Sequence, residues 1–234
     1  MDKSIHDLYV THEEISRNRT KRILLCFCVD ASASMAVSGM MDKVNQGIES
    51  FFRRTRSEIL ARDAADICIV TFGDRVEVVC DFGSFDAACE RVLREPLRAT
   101  GALTKLAAGV NCALDRLEEH QRQLAEVGNN AYLPWLIILS DGVSTEPEAE
   151  LRKASERVFE LLRANKLRTR CLSMDDGYKS LRHFTVGEVD RLEELSVIDF
   201  FDLVSRSVSL ASKQAIERPA FELEGGEAAK ESGR

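Results

Sequence analysis

The sequence predicts an α/β fold with a doubly wound, mostly parallel sheet and helices on both faces. Two observations carry this prediction. Uninterrupted apolar runs of strand length recur along the chain, which is typical of strands buried on both faces. Longer stretches with apolar residues at helical spacing lie between these runs. Their alternation favours one domain with a six-stranded sheet.

The first half of the chain contains three predicted strands. Residues 23–29 form the first strand, and residues 40–60 follow as an amphipathic helix. Residues 65–72 form a second buried strand. The turn Gly73-Asp74 then leads into the alternating residues 76–80, so we predict a hairpin whose third strand is an antiparallel edge.

The second half repeats the alternation of helices and strands. The predicted elements are, in order, a short helix over residues 85–93, a helix from Leu106, a strand over 132–140, a helix capped by Ser144 or Thr145, a strand over 169–174, a short turn over 181–184, a last short strand over 197–201, and a closing helix. We expect residues 1–20 to be an N-terminal extension and residues 21–216 the domain. Residues 217–234 are expected to be a disordered acidic tail.

Composition excludes several classes of partner. The formal net charge of −7, with 30% charged residues, gives no general attraction for nucleic acid or for an anionic membrane. The short basic stretch at residues 17–22 is expected to be solvated. No secretory signal and no run long enough to span a bilayer is found, and seven cysteines without framework spacing indicate reduced thiols. These features predict a cytoplasmic protein.

Polar residues follow two of the buried strands. Asp30, Ser32 and Ser34 come at the end of the first strand, and Asp141 follows the fourth. Thr104 precedes the helix that begins near Leu106, where its hydroxyl would either cap the helix or reach into the site. In a doubly wound sheet these positions converge at the switch point of the strand order. Each residue alone is also a common helix cap, but the joint arrangement favours a site.

The oxygen ligands of this set suit a hard cation. Carboxylate and hydroxyl oxygens suit Mg²⁺ or Mn²⁺ rather than zinc. Two carboxylates balance the charge of a divalent ion, and three neutral hydroxyls add ligands without quenching its electrophilicity. One coordination position is then left for water or an incoming carboxylate. Such a site can bind an anion and does not need a catalytic base.

The complete set resembles the metal-ion-dependent adhesion site of the von Willebrand factor A domain, a Rossmann-like fold. The resemblance covers roughly residues 20–216 and implies Ser32 and Ser34 as direct ligands, with Asp30 and Asp141 binding directly or through water. It also implies that Thr104 switches between direct and water-mediated contact. The expected partner is a protein that offers an Asp or Glu carboxylate.

Later residues resemble the small bacterial A-domain proteins of tellurite resistance (TerY-type). The match rests on Asp175-Asp176-Gly177, residues 197–201 and residues 205–209. It implies a cytoplasmic interaction protein with kinase-like or phosphatase-like partners. One departure concerns the usual Gly-Gly-Thr, which is replaced by Ala102-Leu103-Thr104. This bulkier loop predicts a less firmly held third ligand.

Three other interpretations stay open. A Mg²⁺-dependent phosphoryl-transfer enzyme would also place Asp30 beside the ion, but it needs an acid where Ser32 stands, and no phosphate-cradling Gly-Lys loop is present. A serine hydrolase lacks the nucleophile elbow around Ser140. The chain could also be a structural α/β domain without a metal. We therefore expect a protein that is not an enzyme, with Asp74 either an ordinary turn residue or a contact for the partner.

Overall fold

Helices and strands alternate along the chain in a computed structural model that describes residues 21–174, 178–191 and 196–217. The strands are β1 (Ile23–Asp30), β2 (Ala65–Phe72), β3 (Val76–Ser84), β4 (Trp135–Ser140), β5 (Arg168–Ser173) and β6 (Asp190–Arg191). The helices are α1 (Ala33–Val37), α2 (Met40–Arg56), α3 (Ile59–Ala64), α4 (Phe85–Arg94), α5 (Leu106–Glu126), α6 (Glu148–Arg163), α7 (Tyr178–Leu181) and α8 (Val197–Glu217). A 3-10 turn over Arg182–Phe184 follows α7.

The predicted sheet is confirmed. Its order is β3-β2-β1-β4-β5-β6, and every pairing is parallel except that of β2 with the edge strand β3. The chain leaves β1 in one direction to form β2 and β3, and later returns to the other side of β1 with β4. The carboxyl ends of β1 and β4 therefore flank the switch point, where open α/β sheets bind their ligands.

The core lies on both faces of β1, as the apolar run predicts. Ile23, Leu25, Phe27 and Val29 face a cluster formed with α2, α4 and α8. Leu24, Cys26 and Cys28 face the opposite cluster with α5 and α6. All of these side chains are fully buried, which rigidly fixes the strand that ends at Asp30.

The last predicted strand is wrong. Residues 197–201 open the long helix α8, and the sixth strand is instead the short β6. Ser196 caps the helix, because its Oγ accepts a hydrogen bond from the backbone N–H of Asp199 at 3.1 Å. Phe200 and Phe201 are both fully buried, and adjacent buried positions fit the wide apolar stripe of a helix better than the alternation of a half-buried strand.

Two smaller differences concern helix boundaries. The helix predicted over residues 40–60 ends at Arg56, and the separate helix α3 leads into β2. The predicted hydroxyl cap of α6 is also wrong, because Pro147 occupies the N-cap position and no side chain caps that end. Ser144 and Thr145 bond to the loop of Thr104 instead, which brings them close to the candidate site.

Arg22 is buried, although the sequence predicts a solvated basic stretch. Its Nε donates to Asp66 Oδ2 at 3.1 Å, and His120 Nε2 lies 2.9 Å from the same oxygen. Burial alone would raise the pKa of the Asp66 carboxyl, but the hydrogen bonds from His120 and Arg22 outweigh it and hold that pKa below its ordinary value. This charged group ties β2 and α5 to the start of β1, at the end of the sheet away from Asp30.

Some predictions fall outside the described residues. They are the N-terminal extension at 1–20, the loop Asp175-Asp176-Gly177, and the part of the predicted tail from residue 218 onward. Among the helices that are described, none combines the length and the apolar character needed to cross a membrane.

Candidate metal centre

A chain of short polar contacts links the end of β1 to the end of β4. Ser32 Oγ lies 2.9 Å from Ser34 Oγ, and Ser34 Oγ donates to Asp141 Oδ1 at 2.8 Å. Asp30 Oδ1 accepts a hydrogen bond from the backbone N–H of Ser32 at 2.8 Å, which folds the loop back over the strand end. Four of the five predicted residues, Asp30, Ser32, Ser34 and Asp141, are therefore joined in one group.

The spacing of these oxygens fits a small divalent cation. Mg²⁺ holds its ligands at 2.0–2.1 Å in an octahedron, so neighbouring ligand oxygens lie about 3 Å apart. The two separations of 2.9 Å and 2.8 Å that join Ser32, Ser34 and Asp141 match edges of such an octahedron. They are also hydrogen-bond distances, so the same contacts hold the three side chains together as a preformed group.

Burial of the group is uneven. Asp30 is fully buried and Ser32 is 2% exposed, whereas Ser34 is exposed. The group thus has a closed floor and an open side, and a ligand from another molecule has access through the Ser34 side.

The carboxylate of Asp30 lies in an unfavourable setting for a negative charge. Burial raises the pKa of the Asp30 carboxyl, hydrogen bonds from Ser140 and Ser32 oppose that shift, and the charge of Asp141 adds to it. Ser140 Oγ donates to Asp30 Oδ2 at 2.5 Å. Ser140 is the last residue of β4, so it orients the floor of the site from the neighbouring strand. No pattern in the sequence indicates this role of Ser140.

Thr104 is positioned by its backbone rather than by its hydroxyl. Its N–H donates to Thr145 Oγ1 at 3.0 Å, and its carbonyl accepts from the N–H of Thr145 at 3.1 Å and from Ser144 Oγ at 3.1 Å. Its Oγ1 is directed toward Gly142, 3.8 Å from where a Cβ would stand on that glycine. Thr104 therefore lies beside the residue that follows Asp141, and its described hydrogen bonds do not join it to the other four predicted ligands.

The acid Glu146, and not the Thr104 hydroxyl, caps the start of α5. Its two carboxylate oxygens accept hydrogen bonds from the backbone N–H groups of Ala107 at 2.5 Å and Ala108 at 3.1 Å, in the first turn of α5. An acid at this position satisfies donors that a helix start leaves unpaired and interacts favourably with the helix dipole. This role of Glu146 has no local signal in the sequence, because its partner Ala107 lies 39 positions away along the chain.

Asp74 holds the other side of the same loop. Its Oδ1 accepts hydrogen bonds from the N–H groups of Ala102 at 2.9 Å and Leu103 at 2.8 Å. Gly101 adopts a φ of 88°, and a Cβ there would collide with the Asp74 carboxyl, so the close approach requires glycine. The exposed Asp74 thus organises the loop of the third ligand, and a contact between Asp74 and a partner stays a prediction.

The composition of the group distinguishes it from zinc sites. Within the described ranges, no three residues of the His, Cys, Asp and Glu types are placed to hold a metal ion. The predicted set has only two such residues and three hydroxyls, which is the donor chemistry of Mg²⁺ rather than of zinc. The fully buried Cys26 and Cys28 belong to the core and not to this group.

Comparison with protein families gives one match. The model described as the von Willebrand factor type A domain matches residues 25–144, which is 120 of the 234 residues. The matched range contains all five residues of the candidate site. No curated protein matches the sequence.

Solved structures share the fold at low sequence identity. The von Willebrand factor domain of the type V pili tip protein Mfa5 from Porphyromonas gingivalis has a TM-score of 0.61 at 11% identity, with 82% of this chain and 96% of that chain covered. The PilB minor pilin of Streptococcus sanguinis, as its D319A mutant, also scores 0.61 at 11% identity, over 84% of this chain and 63% of that one. A von Willebrand factor type A protein from Catenulispora acidiphila scores 0.56 at 17% identity, over 84% and 43%. The chain thus spans less than two thirds of the last two proteins.

Proposed function

Because the chain belongs to the von Willebrand factor type A domain family, we propose that it is a metal-dependent protein-binding module which captures an acidic side chain of its partner. Domains of this family commonly mediate protein–protein interactions. In this proposal Asp30, Ser32, Ser34, Thr104 and Asp141 hold Mg²⁺ or Mn²⁺, and a carboxylate of the partner completes the coordination.

The observation that carries the proposal is the spacing of three oxygens. Ser32 Oγ, Ser34 Oγ and Asp141 Oδ1 are separated by 2.9 Å and 2.8 Å, as neighbouring ligands of Mg²⁺ are. The exposure of Ser34 supports capture of a ligand from another molecule, since the open side of the group is where a partner can approach. The bound ion would supply positive charge for that carboxylate.

Isothermal calorimetry with Mg²⁺ and Mn²⁺ tests the metal site. We expect the wild-type chain to bind one ion and the variant Asp141→Ala to lose binding, because Asp30 alone would leave the charge of the ion poorly balanced. Glu188→Ala is a matched control, since this exposed loop acid lies outside the group. Equal binding by the wild type and Asp141→Ala, with both folded by circular dichroism, would contradict the assignment.

The alternative is a Mg²⁺-dependent phosphoryl-transfer enzyme. It is less well supported because Ser32 stands where such an enzyme needs a second acid, and Ser32 is engaged with Ser34. That alternative predicts metal-dependent turnover of a generic phosphate ester which disappears in Asp30→Asn. Metal binding without turnover favours the binding module.

We extend the proposal to a bacterial stress or tellurite-resistance system, on the basis of the TerY-type resemblance, with a cytoplasmic location and kinase-like or phosphatase-like partners. Binding of such a purified partner in Mg²⁺, and its loss in EDTA and in Ser34→Ala, would support this context. Binding that is unchanged by both would place the interaction on another surface.

A further inference from the structure

Three exposed apolar side chains lie next to the candidate ligands. Val37 is 89% exposed, Val143 51% and Leu103 42%. Leu103 directly precedes Thr104, Val143 lies two residues after Asp141, and Val37 ends the short helix α1 that begins beside Ser34. We name these three residues the apolar rim.

The rim belongs to one surface, because the loops that carry it are bonded together. The N–H of Ala33 donates to the carbonyl of Gly101 at 2.7 Å, and the N–H of Thr145 donates to the carbonyl of Thr104 at 3.1 Å. A site of oxygen ligands edged by apolar side chains fits a carboxylate that has apolar neighbours on both sides. A carboxylate in a purely polar segment would leave the rim uncovered.

The chain itself contains a segment of this chemistry. Beyond α8, the sequence Phe221-Glu222-Leu223 places one carboxylate between two large apolar residues. Phe221 and Leu223 are the only large apolar residues between 218 and 234, so Glu222 has one on each side, Glu224 has Leu223 on one side only, and Glu227 and Glu231 have small or polar neighbours. Glu222 is therefore the acid of this region whose neighbours match the apolar rim.

The direction of α8 decides which copy Glu222 can reach. Helix α8 runs alongside α2 in the same direction: Phe201 packs against Gly47, Asp202 pairs with Arg54 at 2.5 Å, and Lys213 pairs at 3.3 Å with Glu58, two residues beyond the end of α2. Because α2 begins near the site and runs away from it, α8 ends near the opposite end of the strands, away from the site.

The stretch of chain between α8 and Glu222 is too short to bring Glu222 to the metal centre of its own chain. Glu222 lies five residues beyond the end of α8 at Glu217 and can extend at most about 18 Å from it. The seven steps between the eight residues of β1 alone span about 23 Å, from the end of the strand near α8's last turn to the end that carries the site. Glu222 therefore cannot reach the site of its own chain, but it can reach that of another copy.

We propose that Phe221-Glu222-Leu223 of one copy binds the candidate metal centre of a second copy. The Glu222 carboxylate takes the open coordination position, and Phe221 and Leu223 cover the apolar rim. This inference rests on the proposed metal-dependent function. Because the two surfaces differ, the contact is head-to-tail, and each added copy presents another free site.

Sedimentation velocity on the full chain tests this association. In Mg²⁺ the weight-average sedimentation coefficient should rise with protein concentration, and in EDTA it should stay at the monomer value. Glu222→Gln and Val143→Ser should both lose the concentration dependence. Glu227→Gln is the matched control, because it removes the same charge from an acid without large apolar neighbours, and it should behave as the wild type.

Calorimetry on the same samples separates two kinds of failure. A wild-type chain that binds Mg²⁺ and stays monomeric would overturn the self-association and leave the metal centre standing. Association that persists in EDTA or in Glu222→Gln would also overturn it. A wild-type chain without Mg²⁺ binding would overturn the metal centre and this inference together.

Discussion

Replacing Glu146 with alanine should weaken both the fold and the metal centre. The Glu146 carboxylate accepts two hydrogen bonds from the first turn of α5, at 2.5 Å and 3.1 Å. Removing a capping acceptor costs about 1–2 kcal/mol. Because Glu146 is half-buried, we expect the loss of unfolding free energy to be about 2 kcal/mol. Thr104 lies two residues before the start of α5. A loosened helix start should therefore also make the position of Thr104, the third ligand, less fixed.

The expected effect on metal affinity can be estimated from other metal sites in which a residue that orients a ligand is removed. Loss of a group that orients a ligand lowers metal affinity by roughly 10- to 100-fold, and we expect the lower end for Glu146→Ala, because Thr145 still holds the backbone of Thr104. Urea unfolding measures the stability and calorimetry with Mn²⁺ the affinity. Glu146→Gln keeps one acceptor oxygen, so its stability and Mn²⁺ affinity should lie between those of the wild type and Glu146→Ala. Glu188→Ala should match the wild type in both. If Glu146→Ala lost stability but kept full Mn²⁺ affinity, Glu146 would cap α5 without positioning Thr104.

Three further variants test other parts of the domain. Asp74→Ala should weaken Mn²⁺ binding severalfold by calorimetry with little change in the urea midpoint, because its bonds serve an exposed loop; unchanged affinity would contradict this. Asp66→Asn should lower the unfolding free energy by about 3–5 kcal/mol, since it leaves Arg22 buried without its carboxylate, while Mn²⁺ affinity is retained. In the wild type, hydrogen bonds from His120 and Arg22 lower the pKa of the Asp66 carboxyl, so this group stabilises the fold at pH values above the ordinary carboxyl pKa. This stability is lost as the pH falls through the pKa of Asp66 in the folded state. Urea unfolding at a series of pH values should therefore show an acid sensitivity in the wild type that Asp66→Asn lacks. Gly47→Ala should lower the thermal midpoint, because a Cβ there would overlap a phenylalanine ring of α8, and an unaltered midpoint would argue against that close packing.

The central part of the fold was predictable because its signals are local. Continuous apolar runs mark β1, β2 and β4, and the burial of Cys26 and Cys28 follows from their position within such a run. The positions of Asp30 and Asp141 then follow from the topology, since parallel neighbours end at the same edge of a sheet. No tertiary information was needed to bring those two residues together.

The start of α8 was not predictable from the apolar run alone. Residues 197–201 are as short and as apolar as a strand, and periodicity does not separate the two states over so few residues. The available signal was the Ser196 cap, whose Oγ bonds the N–H of Asp199. The roles of Glu146 and Asp74 left no local signal, because each side chain bonds backbone groups at least 28 positions away.

The loop of the third ligand is fixed from two sides despite its bulk. The replacement of the usual Gly-Gly by Ala102-Leu103 predicts a looser Thr104, but Asp74 binds both of the N–H groups that precede it. On the other side, Thr145 binds the Thr104 backbone and Glu146 holds the helix start. Two acids that are not ligands thus supply the order which a tight glycine loop would otherwise provide. Because these acids lie on the loops after β2 and β4 and are not themselves ligands, a change at either acid should act on metal affinity without altering any ligand.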